Sequence, residues 1–564
     1  MKKFVFLAAT LLVCCTLLMT ASTLMAATRP QLSARQRVGQ ANDAGVDVNL
    51  SDLPNISVTD SFGAKEVEDP RIPGLAAPSQ RTVSLPEMGS RILIPSGGPG
   101  QETPGAFIDF GGASEGCNGA GWVPSDMGIA VNTTYVVQVV NECLYVFNKT
   151  TGAVVAGPKD YCGLFGLAAN SGTNGCFDPR ALYDTQAGKF VITGSYRDSS
   201  DNGYLLIATA SNPTGVWHSH VIFQGALLAD YPTLGQTAYN NNLYNSVYTM
   251  CYNAYFNNGA FYDVCSFFPK KQVIGTLHTW AVWEDFTVNG VVTNTMQPAD
   301  SYEIAANPRA QFLVASMNDG GQVCGAPESG LVVWAESNAT NAAGVAVGGS
   351  HISGWFTGCG STTTYSQPAS ADNDTFCSAC IETLDNRITA KSFWSAGKIR
   401  VSLDAYNGYS SAALGWTLVP TLSDNGGGCT GGILCPTITG VTVAEQFCYD
   451  CGAGRGAQAW FGAIATTAGG DWTQWATFAS NAISPGPFYV TNNVTWPASS
   501  FPHDGGSFAC VNDYSWSGRW GDYNAVALDE PGKNNVAAIW GSGMDLVNTN
   551  TWGSCIAANH PETP

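Results

Sequence analysis

Apolar residues along the chain gather in short alternating or continuous runs, and no stretch keeps the three-to-four-residue spacing of an amphipathic helix. Tyr135-Val-Val-Gln-Val-Val140, Lys189-Phe-Val-Ile-Thr193 and Tyr204-Leu-Leu-Ile-Ala-Thr209 are rich in β-branched and aromatic residues, and turn-forming segments such as Thr185-Gln-Ala-Gly188 separate them. Branched side chains fit a pleated surface and Gly or Asn fits a tight turn, so these runs predict short strands joined by hairpins.

The pattern recurs with a fixed period. Asp126, Asp178 and Asp230 open successive units 52 residues apart, and each is followed by a short run, a turn, an alternating strand and two further strands. Four strands per period of about 50 residues is the sequence signature of a propeller blade. Looser units follow at Asp300 or Glu303, at Asp385 with Arg387, from Arg455 to Trp460, and at Arg519-Trp-Gly-Asp-Tyr-Asn524. The expected fold is therefore all-β, a β-propeller of seven four-stranded blades spanning residues 106–564. Cysteine- and glycine-rich insertions, from Gly358 to Cys380 and from Gly426 to Cys435, are expected on its loops as disulfide-stapled additions.

The N-terminal part is different. Lys2 and Lys3, the apolar run Phe4 to Leu18 and small residues up to Ala26 and Ala27 predict a signal peptide over residues 1–27, and with it a secreted or periplasmic location. Residues 28–105, rich in Pro, Ser, Gly and Asp, read as a flexible linker or pro-segment. No later stretch reaches the roughly 20 apolar residues of a membrane-spanning helix.

Charge removes one class of partner. With Lys+Arg 24 against Asp+Glu 43, the net charge is -19, the wrong sign for a nucleic-acid binder, which needs clustered cations to displace phosphate counterions. The 18 cysteines include Cys14 and Cys15 of the predicted signal, and an even number remains between Cys117 and Cys555, which in an exported chain reads as disulfides. The pairs Cys377/Cys380 and Cys448/Cys451 leave a four-thiolate zinc site open.

The inner strand of each blade lines the channel of a propeller, so the blade-start acids Asp126, Asp178, Asp230, Asp385 and Asp522 are expected to converge on one mouth, with Arg180, Arg387 and Arg519 beside them. Carboxylates so placed suit Ca²⁺, with Asp126, Asp178 and Asp230 as ligands, or act as general acid and base in glycoside hydrolysis, or cap the turns entering the blades. His218 and His220 lie on one face of a strand, as metal ligands or as a solvated pair. Trp394, Trp416, Trp460, Trp472, Trp475, Trp516, Trp520 and Trp540 crowd the second half, as core or as sugar-stacking platforms. G-x-S-x-G, H-E-x-x-H and phosphate-binding glycine loops are absent from the sequence.

The series Pro124-Ser-Asp-Met-Gly-Ile-Ala-Val131, Phe177-Asp-Pro-Arg180, Asp230-Tyr-Pro-Thr-Leu-Gly235 and Arg519-Trp-Gly-Asp-Tyr523 resembles a group of exported bacterial sialidase-like β-propellers, over residues 106 to 550. In a sialidase, that resemblance implies guanidiniums such as Arg180, Arg387 and Arg519 on a substrate carboxylate, a phenol such as Tyr231 or Tyr523 as nucleophile, and an Asp acid. The Ser-x-Asp-x-Gly-x-Thr-Trp box of sialidases does not occur, and Gly470-Asp-Trp-Thr473 is only a fragment of it. The expected function is binding of an extracellular glycan or surface protein by a monomer, through Asp126, Asp230, Asp385, Trp520 and Tyr523, with calcium as candidate cofactor. The alternative is glycoside hydrolysis by Asp178 and Asp522 with Arg180, Arg387, Arg519 and Tyr231.

Overall fold

The computed structural model of the chain describes residues 30–56, 65–66, 108–114 and, with interruptions, 117–559; the longer interruptions are 168–174, 303–309, 319–328, 338–349, 359–370, 424–435, 450–456, 493–506, 509–517 and 530–537. The predicted signal peptide and both insertion centres fall outside the described residues.

The fold is an all-β propeller. Among the described residues the strands pair antiparallel with their chain neighbours in groups of four, and short parallel contacts join Leu228–Gln236, Gln297–Asp300 and Ser392–Ser395 into one larger sheet. Blade 1 comprises Gly128–Val131, Tyr135–Val140, Cys143–Asn148 and Val154–Asp160. Blades 2 and 3 run over Gly175–Asp184 to Val216–Phe223 and Leu228–Gln236 to Leu277–Val288. Blade 4 extends from Gln297–Asp300 to His351–Phe356, blade 5 from Ser392–Ser395 to Thr437–Tyr449, and blade 6 from Ala457–Thr466 to Ser507–Phe508. The last sheet holds Ala525–Leu528, Ile539–Asn548 and Thr551–Asn559, and its outer strand is Ile108–Ser114, supplied from ahead of blade 1. Leading strands pack on one another in chain order, with that of blade 7 against that of blade 1.

Hydrophobic cores lie between blades, which explains why many runs are apolar at every position. In Lys189–Arg197, Phe190 and Ile192 join the core shared with Val137 and Val139 of blade 1, while Val191 joins the one shared with Tyr248 and Met250 of blade 3. Successive side chains of a strand point to opposite faces, and both faces are covered here. Trp540 and Trp552 fill the core between blades 7 and 1. Of the eight tryptophans crowding the second half, Trp516 is not described and the other seven are all buried, so those seven are packing residues and present no sugar-stacking face.

Residues 32–49, expected as part of a flexible linker, are strands. Leu32–Asp43 pairs with Leu277–Val288 on the outer edge of blade 3, and Val46–Asn49 pairs with Val216–Phe223 on that of blade 2. Arg35 and Arg37 both bond the Glu284 carboxylate, at 3.0 and 2.9 Å. Composition hid these strands because an edge strand needs only backbone partners and a few side-chain clasps. Disulfides join Cys117 to Cys143, Cys162 to Cys176 and Cys251 to Cys265. Among the described residues no helix is long and apolar enough to cross a membrane. The thiols of the two C-x-x-C pairs lie outside the described side chains.

Between blades 5 and 6 the Asp404 carboxyl accepts the amides of Phe461, at 2.7 Å, and Gly462. Burial pushes its pKa up to about 8, against those two hydrogen bonds. Burial likewise raises Asp263 and Glu336 well above the carboxylate range. Folded, these acids hold protons that the unfolded chain releases above about pH 4. Their contribution is complete at acidic pH and is lost as pH rises through the folded-state values. The melting temperature should therefore fall between pH 5 and pH 8. Asp404→Asn, which cannot ionise and keeps an acceptor for one of the two amides, should flatten that fall, whereas Asp404→Ala, which strands two buried N–H groups, should cost about 2–4 kcal/mol in urea denaturation at pH 5.

Candidate functional site

The entrances to the blades share one backbone device. Asp126, Asp178, Tyr231, Thr295 and Phe461 all have left-handed backbones, with φ of 31°, 51°, 50°, 54° and 55°. Asp tolerates this region, but Tyr, Thr and Phe do so only when the surroundings impose it. The imposing contact is a hydrogen bond from a neighbouring blade. Asn141 Oδ1 accepts the Asp178 amide at 2.8 Å, Asp178 Oδ2 that of Tyr231 at 3.0 Å, and Asn253 Oδ1 that of Thr295 at 3.0 Å. Asp404 does the same for Phe461. Asp126 Oδ1 takes the Asp522 amide at 2.8 Å, closing blade 1 onto blade 7.

This geometry corrects the 52-residue register at its third member. The residue equivalent to Asp178 is Tyr231, not Asp230, because adjacent strand residues face opposite ways and one extra residue separates the two kinks. Asp126, Asp178 and Asp522 place carboxylate oxygens within 4.8 Å of one another, and this is the sole such acidic group among the described residues. Asp230 is therefore outside the three-carboxylate set, although it was the expected third ligand. Asp385 is also elsewhere, bonding Arg387 through both oxygens at 2.9 Å.

Beside the three acids, Arg180 stacks on Tyr523, its guanidinium carbon 3.2 Å from the ring centre, and lies 5.1 Å from that of Tyr231. Arg387 stands 4.8 Å over the Tyr231 ring. Arg180 donates to Pro232 O at 3.0 Å and Thr389 O at 3.1 Å, tying blades 2, 3 and 5 together. Tyr231 Oη donates towards Thr389 O and Asp522 O, at 3.2 and 3.1 Å, and Tyr523 Oη to Pro179 O at 3.0 Å. Burial pushes both phenols well above the usual tyrosine range, against the pull of Arg180.

All of these side chains are buried. A phenol held in this way is the reverse of an activated nucleophile. Trp520 is fully buried too, with Nε1 donating to Thr477 Oγ1 at 3.2 Å. Arg519 lies on the strand Gly518–Arg519, and its side chain is outside the described set. A small pocket is lined by Met127, Arg180, Leu234, Lys391 and Asn524. Sequence reasoning missed Asn141, Asn253 and Asp404. Their available signal was an Asn or Asp placed at or near the end of an otherwise apolar second strand, as in Tyr135-Val-Val-Gln-Val-Val-Asn141.

No family model matches the chain, the exported sialidase-like group included, and no curated protein matches it. Solved structures match at low identity. A protein of unknown function from Dyadobacter fermentans is 10% identical, with 69% of this chain and 96% of that one covered and a TM-score of 0.29. A xylan β-1,4-xylosidase from Bacillus halodurans is 12% identical over 73% of this chain and 58% of its own, with a TM-score of 0.30. Drosophila plexin A in complex with semaphorin 1b is 8% identical over 82% and 88%, with a TM-score of 0.32. Similarity at this level transfers no activity.

Two substitutions probe the centre. Tyr231→Phe removes one hydroxyl shared by two carbonyls and should cost about 1–2 kcal/mol of stability. Arg180→Met strips the positive charge from among buried carboxylates and frees two carbonyls, and should cost about 3–5 kcal/mol in the same denaturation assay.

Proposed function

We propose that the protein is an exported propeller that binds an extracellular glycan or another surface polymer at its channel mouth, with Ca²⁺ held by Asp126, Asp178 and Asp522. The observation that carries this reading is the convergence of three carboxylates from blades 1, 2 and 7 within 4.8 Å. Hard cations take oxygen ligands in this manner, and a bound cation would offset the excess of carboxylates over guanidiniums around Arg180 and Arg387. The disulfides Cys117–Cys143, Cys162–Cys176 and Cys251–Cys265 fit an oxidising exterior.

Binding is favoured over hydrolysis by the way the expected catalytic groups are engaged. A retaining glycosidase needs two carboxyls about 5–5.5 Å apart, free to take and give a proton at the sugar. Here Asp178 accepts a backbone amide across a blade junction, and Tyr231 is bonded to two carbonyls. Two of the groups expected to perform chemistry are thus engaged in holding blades together.

Calorimetric titration of the chelator-treated protein should show calcium binding that Asp126→Asn, Asp178→Asn and Asp522→Asn each weaken at least tenfold and Asp230→Asn leaves unchanged. A glycan array should then show hits that depend on calcium. Silence in both experiments would sink the reading, and turnover of fluorogenic glycosides lost in Asp178→Asn and Asp522→Asn would replace it with the hydrolase.

A further inference from the structure

The N-terminal segment crosses the outer edges of blades 2 and 3 as a strap, and its crossing point is marked by two histidines. His218 Nδ1 lies 2.7 Å from Asp47 Oδ1, and its Nε2 lies 2.7 Å from the carbonyl oxygen of Gly275. His220 repeats the arrangement, with Nδ1 2.8 Å from Asp43 Oδ2 and Nε2 3.0 Å from the carbonyl oxygen of Val273. The rings meet edge to face, 5.0 Å apart. With every ring nitrogen directed at a separate partner, the pair is not a shared metal site, which was one of the two roles open to it.

The partners decide the proton count. A carbonyl oxygen only accepts, and so does an ionised carboxylate, whereas a neutral imidazole has one N–H and one lone pair. Both nitrogens of each ring face acceptors, so each His–Asp pair must carry one proton more than neutral histidine beside aspartate. At a pH where a free imidazole is neutral, docking therefore takes up one proton at each pair, carried by the ring as the stronger base. His220 is fully buried, and its partner Asp43 is two-thirds buried, so water is poorly placed to replace a lost partner.

We propose that the strap is a proton-operated latch, closed on blades 2 and 3 under acidic conditions and released as pH rises, with His218–Asp47 and His220–Asp43 as its two bolts. Both carboxylates lie on the strap, and both imidazoles and both carbonyls lie on the propeller, so the charge pairs form only on docking. Other charged groups nearby are already committed. Lys270 of the short helix Lys270–Val273 pairs with Asp184 at 2.8 Å, and Lys271 stands 6.0 Å over the Tyr244 ring. His278 begins the strand whose Leu277 pairs with Asp43, and its backbone amide goes to Gln272. Arg35 and Arg37 hold Glu284 further along the strap, a clasp without a titrating histidine. The sharp turn between the two strap strands depends on Gly45, whose φ is +73° and whose Cβ position lies 2.6 Å from His218 Cε1. This latch is independent of the channel mouth and stands whether or not that site binds calcium.

The test uses the full mature chain labelled with ¹⁵N-histidine. Ring-nitrogen NMR from pH 5 to pH 9 should show two imidazoles with both nitrogens protonated while the strap is docked. Hydrogen exchange of residues 32–49, corrected for the intrinsic pH dependence, should show an opening constant that rises above the transition by up to roughly 100-fold per pH unit, the slope for two released protons. Protection of the strand Gly203–Ala210 should not change with it. In the His218→Gln/His220→Gln variant opening should become independent of pH. Asp47→Asn, a change at an exposed carboxylate that leaves the blades untouched, should move the midpoint to lower pH. A docked strap with singly protonated rings, pH-independent opening in the native chain, or a midpoint unmoved by Asp47→Asn would overturn the proposal.

Discussion

Five blades enter through residues bent into the left-handed region, and at four of these a side chain of the neighbouring blade takes the amide of the bent residue. Asn141, Asp178, Asn253 and Asp404 perform this capture across four junctions, and Asp126 captures Asp522 across a fifth. The remaining two use Gln297 to the carbonyl of Ile388 and Asn524 to that of Phe461. A ring of sheets packed face to face has no interlocking of its own, because apolar contact between flat surfaces does not fix their relative height or rotation. A directional bond near the axis does, and it explains how Tyr231, Thr295 and Phe461 persist in a conformation that costs about 1–3 kcal/mol.

The same constraint shapes the channel mouth. Residues that must reach across a junction close to the axis are short and polar, so their carboxylates crowd, and Asp126, Asp178 and Asp522 become neighbours as a by-product of closing the ring. Crowded buried anions demand compensation, which Arg180 and Arg387 supply while stacking on Tyr231 and Tyr523. On the proposed reading, structural and ligand-binding roles draw on one set of atoms. A cation at the three carboxylates would couple blade closure to binding, since removing it leaves like charges facing each other across blades 1, 2 and 7.

Chain segments from outside the blades solve the edge problem. Leu32–Asp43 and Val46–Asn49 pair with the outer strands of blades 3 and 2, and Ile108–Ser114 completes blade 7 as its outer strand, covering backbone groups that would otherwise invite another chain. Buried acids such as Asp404, Asp263 and Glu336 hold protons in the folded chain that the unfolded chain releases, so acidic pH favours the folded form.

Much of the architecture was legible in the chain. The 52-residue period from Asp126 to Asp178, the four-strand plan, the all-β class and the entrances near Asp385 and Asp522 follow from residue pattern, because alternation and turn chemistry are local. The place of Asp230 in the repeat is one residue off, since a single inserted residue exchanges the two faces of a strand and leaves composition unchanged. The edge strands at 32–49 were also hidden, because partners such as Val288, opposite Leu32, lie far along the chain and pairing through the backbone leaves little trace in side-chain identity. Sequence alone therefore determined the kind of fold and which residue types would gather at blade entrances. Only the tertiary structure decided which carboxylates meet, which aromatic rings are buried and which histidines face two acceptors, because these depend on distances between blades that no local rule encodes.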